Sequence, residues 1–215
     1  MSDIYNKTLR EVIELSASSK PVPGGGSVSA IVANFGLAMI AMVCRLTAGK
    51  IKEEEVGHQV NEILDTANNL IQQLEKLVDE DMSAFENYIA ATRLPKNTDD
   101  EIKARGEAIQ NALKSATETP LEIARVCLEA LRIAAKLSTI GNKQVISDVG
   151  VGAVATEAAI SGVLLSADIN TAMIKDKDYV QKIVARKEMI QFEARQLKAI
   201  VMTVVQERIN SLYRE

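Results

Sequence analysis

Apolar residues recur at intervals of three and four along most of this chain, and the few places where that rhythm stops divide it into elements. Ile4, Leu9, Val12, Ile13 and Leu15 mark a first amphipathic helix over residues 4–17. From residue 53 to 93 the positions Val60, Ile63, Ala67, Leu74, Leu77, Val78 and Phe85 fall on one stripe, with neither Gly nor Pro after Gly57. This spacing predicts a single long helix with one side buried. Leu94-Pro95-Lys96-Asn97 breaks it, and Thr98 with Glu101 has the spacing of a capping box, so the next helix starts there. Thr119-Pro120 repeats an entry signal, which means either a kink or a fresh start before residues 121–137. Asp178-Tyr179-Val180-Gln181 resembles a further cap, ahead of a last apolar-periodic segment that runs free of Gly and Pro to Tyr213.

Two segments lose the polar face altogether. Residues 27–48 and 145–167 are apolar nearly all round, which in a soluble chain belongs at the centre of a bundle. The second contains enough Val to suggest a strand, but Ala and Gly dominate it and no alternating polar face appears, so a helix is expected. Residues 21–44 carry no charge over a length sufficient to cross a bilayer. Their glycines, alanines and Asn34 suit close helix packing in a soluble core better than contact with lipid. The sum is an all-α, multihelical bundle forming a single domain over residues 1–215. Two such apolar helices demand more cover than four amphipathic ones easily provide, which favours a dimer.

Composition narrows the function. A chain of 215 residues with net charge −4, no Trp and 3% aromatics lacks the basic footprint and stacking platform of a nucleic-acid binder. Cys44 and Cys127 sit in apolar-periodic segments, as core thiols do in a reducing compartment. The acidic start at Met1-Ser2-Asp3, with no apolar run behind it, fits a cytoplasmic protein. The one histidine, His58, lies among glutamates near the start of a helix and is expected on the surface. Without a second His or clustered cysteines, neither a transition-metal site nor a Ser-His-Asp triad assembles within one chain. Proton transfer falls to carboxylates, lysines, tyrosines or water.

Three features are left to carry chemistry. Gly24, Gly25, Gly26 and Ser27 open the segment 27–48, where successive backbone N–H groups and a helix N-terminus suit an anion; the same glycines equally suit a plain helix entry. Val28 after Ser27 excludes a Walker-type loop. Of Asp79, Glu80 and Asp81, only Asp81 falls on the buried stripe, four residues from Leu77 and from Phe85. A carboxylate there is either a structural pair with a cation or a group facing a cavity. Asp148 is the same anomaly in segment 145–167, with Lys143 as the nearest cation in sequence.

These motifs together resemble a known family. Pro23-Gly24-Gly25-Gly26-Ser27-Val28-Ser29-Ala30, Leu77-Val78-Asp79-Glu80-Asp81-Met82-Ser83-Ala84-Phe85, Leu94-Pro95-Lys96-Asn97-Thr98 and Gly141-Asn142 followed by Ser147-Asp148 are similar, in the same order, to the cyclodeaminase/cyclohydrolase family of folate enzymes. That family includes the C-terminal domain of formiminotransferase-cyclodeaminase and free-standing bacterial methenyltetrahydrofolate cyclohydrolases. The resemblance implies an intertwined homodimer and chemistry on the one-carbon bridge between N5 and N10 of tetrahydrofolate, with the folate as substrate and no metal or other cofactor. A formiminotransferase partner would be a separate protein. Placed on this chemistry, Asp81 and Asp148 are expected to converge on the reacting carbon as catalytic groups. Gly24, Gly25, Gly26 and Ser27 are expected to bind the pterin or a carboxylate, Asn142 and Lys143 to add contacts, and Arg93 and Lys96 to meet the glutamate tail. The competing expectation is a non-catalytic helical dimer that binds folate or serves as a scaffold.

Overall fold

The computed structural model describes residues 3–50 and 53–213, so Met1 and Ser2 of the expected acidic start lie outside the described residues. Helices α1 (Leu9–Ser16), α2 (Gly25–Ala48), α3 (Glu54–Thr92), α4 (Asp99–Ile140), α5 (Ile146–Thr171) and α6 (Lys177–Leu212) follow one another, and no strand occurs among the described residues. The all-α expectation holds, including for the Val-containing segment that becomes α5.

The differences from the sequence reading lie at helix ends and in which helix is central: α4, not the apolar α2 or α5, sits among the others. The first predicted helix is two pieces, a 3-10 turn over Asp3–Asn6 and then α1, because Thr8 and Glu11 form a capping box that restarts the backbone. Thr98 and Glu101 cap α4 as their spacing predicts. The cap of α6 is Asp176 rather than Asp178: its carboxylate accepts the Tyr179 N–H at 3.0 Å. Pro120 neither ends nor restarts a helix, since α4 runs through it. A proline there leaves the carbonyl four residues earlier without its N–H partner. That carbonyl belongs to Ala116, and it accepts a hydrogen bond from Asn170 Nδ2 of α5 at 2.8 Å. The broken helical bond is thus replaced by one from a neighbouring helix.

Helix α4 occupies the middle of the bundle, and α3, α2, α5 and α6 form an arc around it. Antiparallel packing of α2 on α3 is fixed by bonds from Ser27 to Asp81 at one end and from Arg45 to Asn68 at the other. Helix α6 runs parallel to α4, tied by Arg186 to Glu118, Arg132 to Glu193 and Arg208 to the Ser138 carbonyl. Helices α2 and α5 cross closely: a Cβ on Gly36 would meet the Gly152 carbonyl at 2.8 Å, and a Cβ on Gly152 would meet the Gly36 carbonyl at 2.8 Å. Only glycine at both positions permits that approach.

Leu37, Ile40, Leu74, Leu121, Leu131, Leu137, Ile160 and Leu164 fill the core, which Cys44 and Cys127 share as free, buried thiols. Burial pushes these thiols up to about 11 and about 12, so neither is a thiolate at neutral pH. Although α2 and the segment containing α5 are long and apolar enough to cross a membrane, about half of each apolar window is buried inside the bundle. The other half forms an outer face on which Val28, Val32 and Phe35 of α2 stand beside Val151, Val154, Leu165 and Ile169 of α5.

Candidate active site

Helix α2 begins at Gly24, which has no side chain to satisfy the first free N–H groups. A carboxylate from another helix does so instead. Asp81 of α3 accepts Ser27 Oγ–H at 2.7 Å and also the Ser27 backbone N–H. Its position is set by the absence of a side chain at Gly26, where a Cβ would stand 2.4 Å from Asp81 Oδ1. The glycine run therefore serves close approach of a carboxylate from α3. The anion at the positive end of the α2 dipole belongs to the protein itself.

Two opposing influences act on the Asp81 carboxyl. Removal from water dominates and raises its pKa above the ordinary Asp value, while the two hydrogen bonds from Ser27 pull it back. The result is a carboxylate with greater proton affinity than one in solvent, beside a cavity of about 320 Å³. The α2 entry supplies one wall with Pro21, Val22 and Gly24 to Gly26, and α3 supplies Asp81, Phe85 and Tyr88. Ala116 and Pro120 of α4 form the floor, and Ser166, Ile169, Asn170 and Met173 close the side from α5 and the turn after it. Among the described residues, Asp81 is the only charged side chain lining this space. Such a cavity is large enough to take a bicyclic ring system, and its single ionisable carboxylate can move one proton at whatever carbon or nitrogen approaches it.

The other expected site residues lie elsewhere in the chain. Arg93 is the exposed C-cap of α3 and Lys96 is exposed in the following loop. Arg93 stands twelve residues beyond Asp81, roughly 18 Å along the helix, and neither basic residue lines the cavity. Asn142 is a structural clip: its N–H donates to Thr47 Oγ1 at 2.8 Å, its Nδ2 to the Leu46 carbonyl at 3.3 Å, and its Oδ1 accepts the Gln144 N–H at 3.1 Å. Lys143 opens the 3-10 turn beside it and makes no ion pair with Asp148. Asp148 lies in the first turn of α5, eighteen residues from Ser166, or roughly 27 Å. Asp81 and Asp148 thus do not converge within one chain, because α5 is a continuous helix that holds its two ends apart.

Phe85, Tyr88, Ser166 and Asn170 line the cavity without standing out as site residues in the sequence. Phe85 and Tyr88 follow Asp81 by four and seven residues, so they share its face, and the chain has only three Phe and four Tyr. Two aromatics beside a buried-stripe acid were a usable signal. Nothing local marks Asn170, because the carbonyl it serves is 54 residues away.

Comparison with known proteins bears on the family and the fold. The sequence profile of the formiminotransferase-cyclodeaminase family matches residues 8–189. A methenyltetrahydrofolate cyclohydrolase from Methylorubrum extorquens is 35% identical over 205 residues, covering 95% of this chain and 99% of that protein. The formimidoyltransferase-cyclodeaminase of Gallus gallus is 30% identical over 205 residues, and the match spans 38% of its length. Among solved structures, the formiminotetrahydrofolate cyclodeaminase of Thermotoga maritima superposes with a TM-score of 0.86 at 25% identity, covering 95% of this chain and 98% of that one. An all-helical bundle with an acid from α3 capping a glycine-opened α2, matched along nearly its whole length, belongs to the formiminotransferase-cyclodeaminase family.

Proposed function

We propose that the cavity beside Asp81 binds a tetrahydrofolate derivative and that the protein makes or opens the methenyl bridge between N5 and N10. The observation that carries this is the placement of one proton-avid carboxylate in an otherwise uncharged, aromatic-walled cavity. The names of the full-length relatives supply the substrate class. In the hydrolytic direction Asp81 takes a proton from water as its oxygen attacks the methenyl carbon. The bond from that carbon to N5 then breaks, a proton passes to N5, and 10-formyltetrahydrofolate leaves. In the deaminating direction N10 attacks the formimino carbon carried on N5, its proton is taken up by the carboxylate, and the formimino nitrogen leaves protonated as ammonia. Both routes pass through a tetrahedral carbon between nitrogens and call for a positioned acid–base group and no resident metal or redox cofactor.

Phe85 and Tyr88 provide apolar surface for the pterin, and Asn170, whose Nδ2 is held by the Ala116 carbonyl, has its Oδ1 left as an acceptor for a pterin N–H. In this reading the protein acts in the cytoplasm as a homodimer. The test is a steady-state assay of purified protein with 5,10-methenyl- and 5-formiminotetrahydrofolate, following the methenyl absorbance. Turnover of at least one substrate is expected, with Asp81→Asn lowering kcat by about 10²-fold or more while the far-UV spectrum and melting curve stay cooperative. Folate binding without turnover in the wild type would instead make it a binding module.

A further inference from the structure

The groove between α2 and α5 has Asp81 and its cavity at one end and Asp148 at the other. Eighteen residues are five full turns, so Asp148 and Ser166 point to the same side of α5, the side on which Ser166 meets the α2 entry at Gly25. Asp148 is half-buried yet takes part in no hydrogen bond or ion pair among the described residues. Between the two ends lies the exposed apolar face, running from Val28 to Leu46 on α2 and from Val151 to Ile169 on α5. With α2 and α5 held in register by Gly25 against Ser166, Ser29 against Gly162 and Gly36 against Gly152, Ala158 stands opposite Val32 near the middle of that face. Two helices about 10 Å wide over about 27 Å offer roughly 540 Å² on each partner, or about 1,100 Å² in all, above the roughly 1,000 Å² that marks a specific interface.

A second copy of the chain fits this face in one way that joins both observations. A two-fold axis perpendicular to α5 at Ala158 exchanges the ends of the helix. It lays the partner's Asp148 over the turn between Ser166 and Asn170, at the mouth of the Asp81 cavity, where Ile169 and Met173 are 69% and 42% exposed. Symmetry repeats the arrangement at the other end. We infer that the active unit is this two-fold pair and that the partner's Asp148 completes each cavity as a second carboxylate, set against the positive charge of the methenyl amidinium while Asp81 moves the proton. This rests on the folate reading above. It gives the unpaired acid a charge to meet and the apolar face a cover, and it places in trans the convergence that one chain cannot achieve.

Subunit complementation tests it. Asp81→Asn and Asp148→Asn homodimers are each expected to lose about 10²-fold in turnover. When the two chains, carrying different tags, are co-expressed, random pairing makes half the dimers mixed, each with one intact site, and about a quarter of wild-type activity returns. Full activity of Asp148→Asn overturns the inference, as does the absence of recovery in tag-purified mixed dimers. Ala158→Arg, at the axis, is expected to give a folded monomer without turnover; a fully active monomer also overturns it. Failure of the folate reading is recognised separately, as a wild-type dimer that turns over neither substrate.

Discussion

Asp81 and Asp148 interrupt apolar stretches in the same manner, yet the fold treats them in opposite ways. Asp81 receives two hydrogen bonds from the opening turn of α2 and lines a cavity. Asp148 stands in the first turn of α5 with no partner among the described residues. The first is held by the chain that carries it, and its chemistry follows from its surroundings. The second acquires surroundings only from another molecule. A charged residue on an apolar helix face thus has two distinct explanations, and the hydrogen-bond inventory of one chain separates them.

The sharpest way to break this comparison is at the glycines. A Cβ at Gly26 would lie 2.4 Å from Asp81 Oδ1, whereas at Gly25 the nearest atom is Ser166 Oγ at 3.7 Å, an ordinary contact. Gly26→Ala is expected to push the carboxylate off Ser27, lowering kcat by about 10²-fold and stability by about 1–3 kcal/mol. Gly25→Ala is expected to change both by far less. Equal losses in the two variants, read from steady-state kinetics and denaturant melts, would mean that the loop acts through its backbone N–H groups and not through the placement of Asp81.

That distinction was only half legible in the sequence. The glycines were visible, as was Asp81 on the buried stripe of α3, because helical periodicity reports which side a residue takes. What a glycine makes room for is a contact across 54 positions, and no local pattern encodes it. Helix bodies were legible for the same reason, while Thr8, Pro120 and Asp176 show where local reading slips: a cap competes with its neighbours for the same N–H groups, and a proline is tolerated when another helix supplies the missing donor. The basic residues Arg93 and Lys96 stand out in the sequence by their closeness to the Leu94-Pro95 motif. Arg93 lies five residues, roughly 7.5 Å of helix, beyond the cavity-lining Tyr88 and does not itself line the cavity. Asp148 stands out in the sequence for a sound reason, but chain periodicity is silent about a second copy.

Asn170 sharpens the comparison on the cavity side. It is the hydrogen-bond partner of the Ala116 carbonyl that Pro120 leaves bare, so Asn170→Leu strands a carbonyl and removes an acceptor from the cavity wall together. A stability loss of about 1–3 kcal/mol is expected from the unpaired carbonyl, with KM raised more than kcat is lowered. The double variant Asn170→Leu, Pro120→Ala restores the helical N–H that Ala116 lost. It is expected to recover most of the stability and none of the KM, and recovery of both would confine Asn170 to a structural role.

The smallest effect decides what kind of carboxylate Asp81 is. A carboxylate whose main environment is its cap hydrogen bonds has a lowered pKa in the folded state, and its stabilisation fades on acidification. Asp81 is raised, because loss of water outweighs Ser27. For a raised group the sign reverses. The folded protein binds the proton more tightly than the unfolded chain, so the contribution of Asp81 is fully favourable below the ordinary Asp value of 3.8 and is lost as the pH climbs through the raised one. Asp81→Asn keeps an acceptor for Ser27 and has no proton to lose. The stability of the wild type relative to this variant is therefore expected to decline from about pH 4 toward neutrality, as measured by urea unfolding at matched ionic strength. The opposite slope would make Asp81 a helix cap first and remove the physical basis for its role as a base.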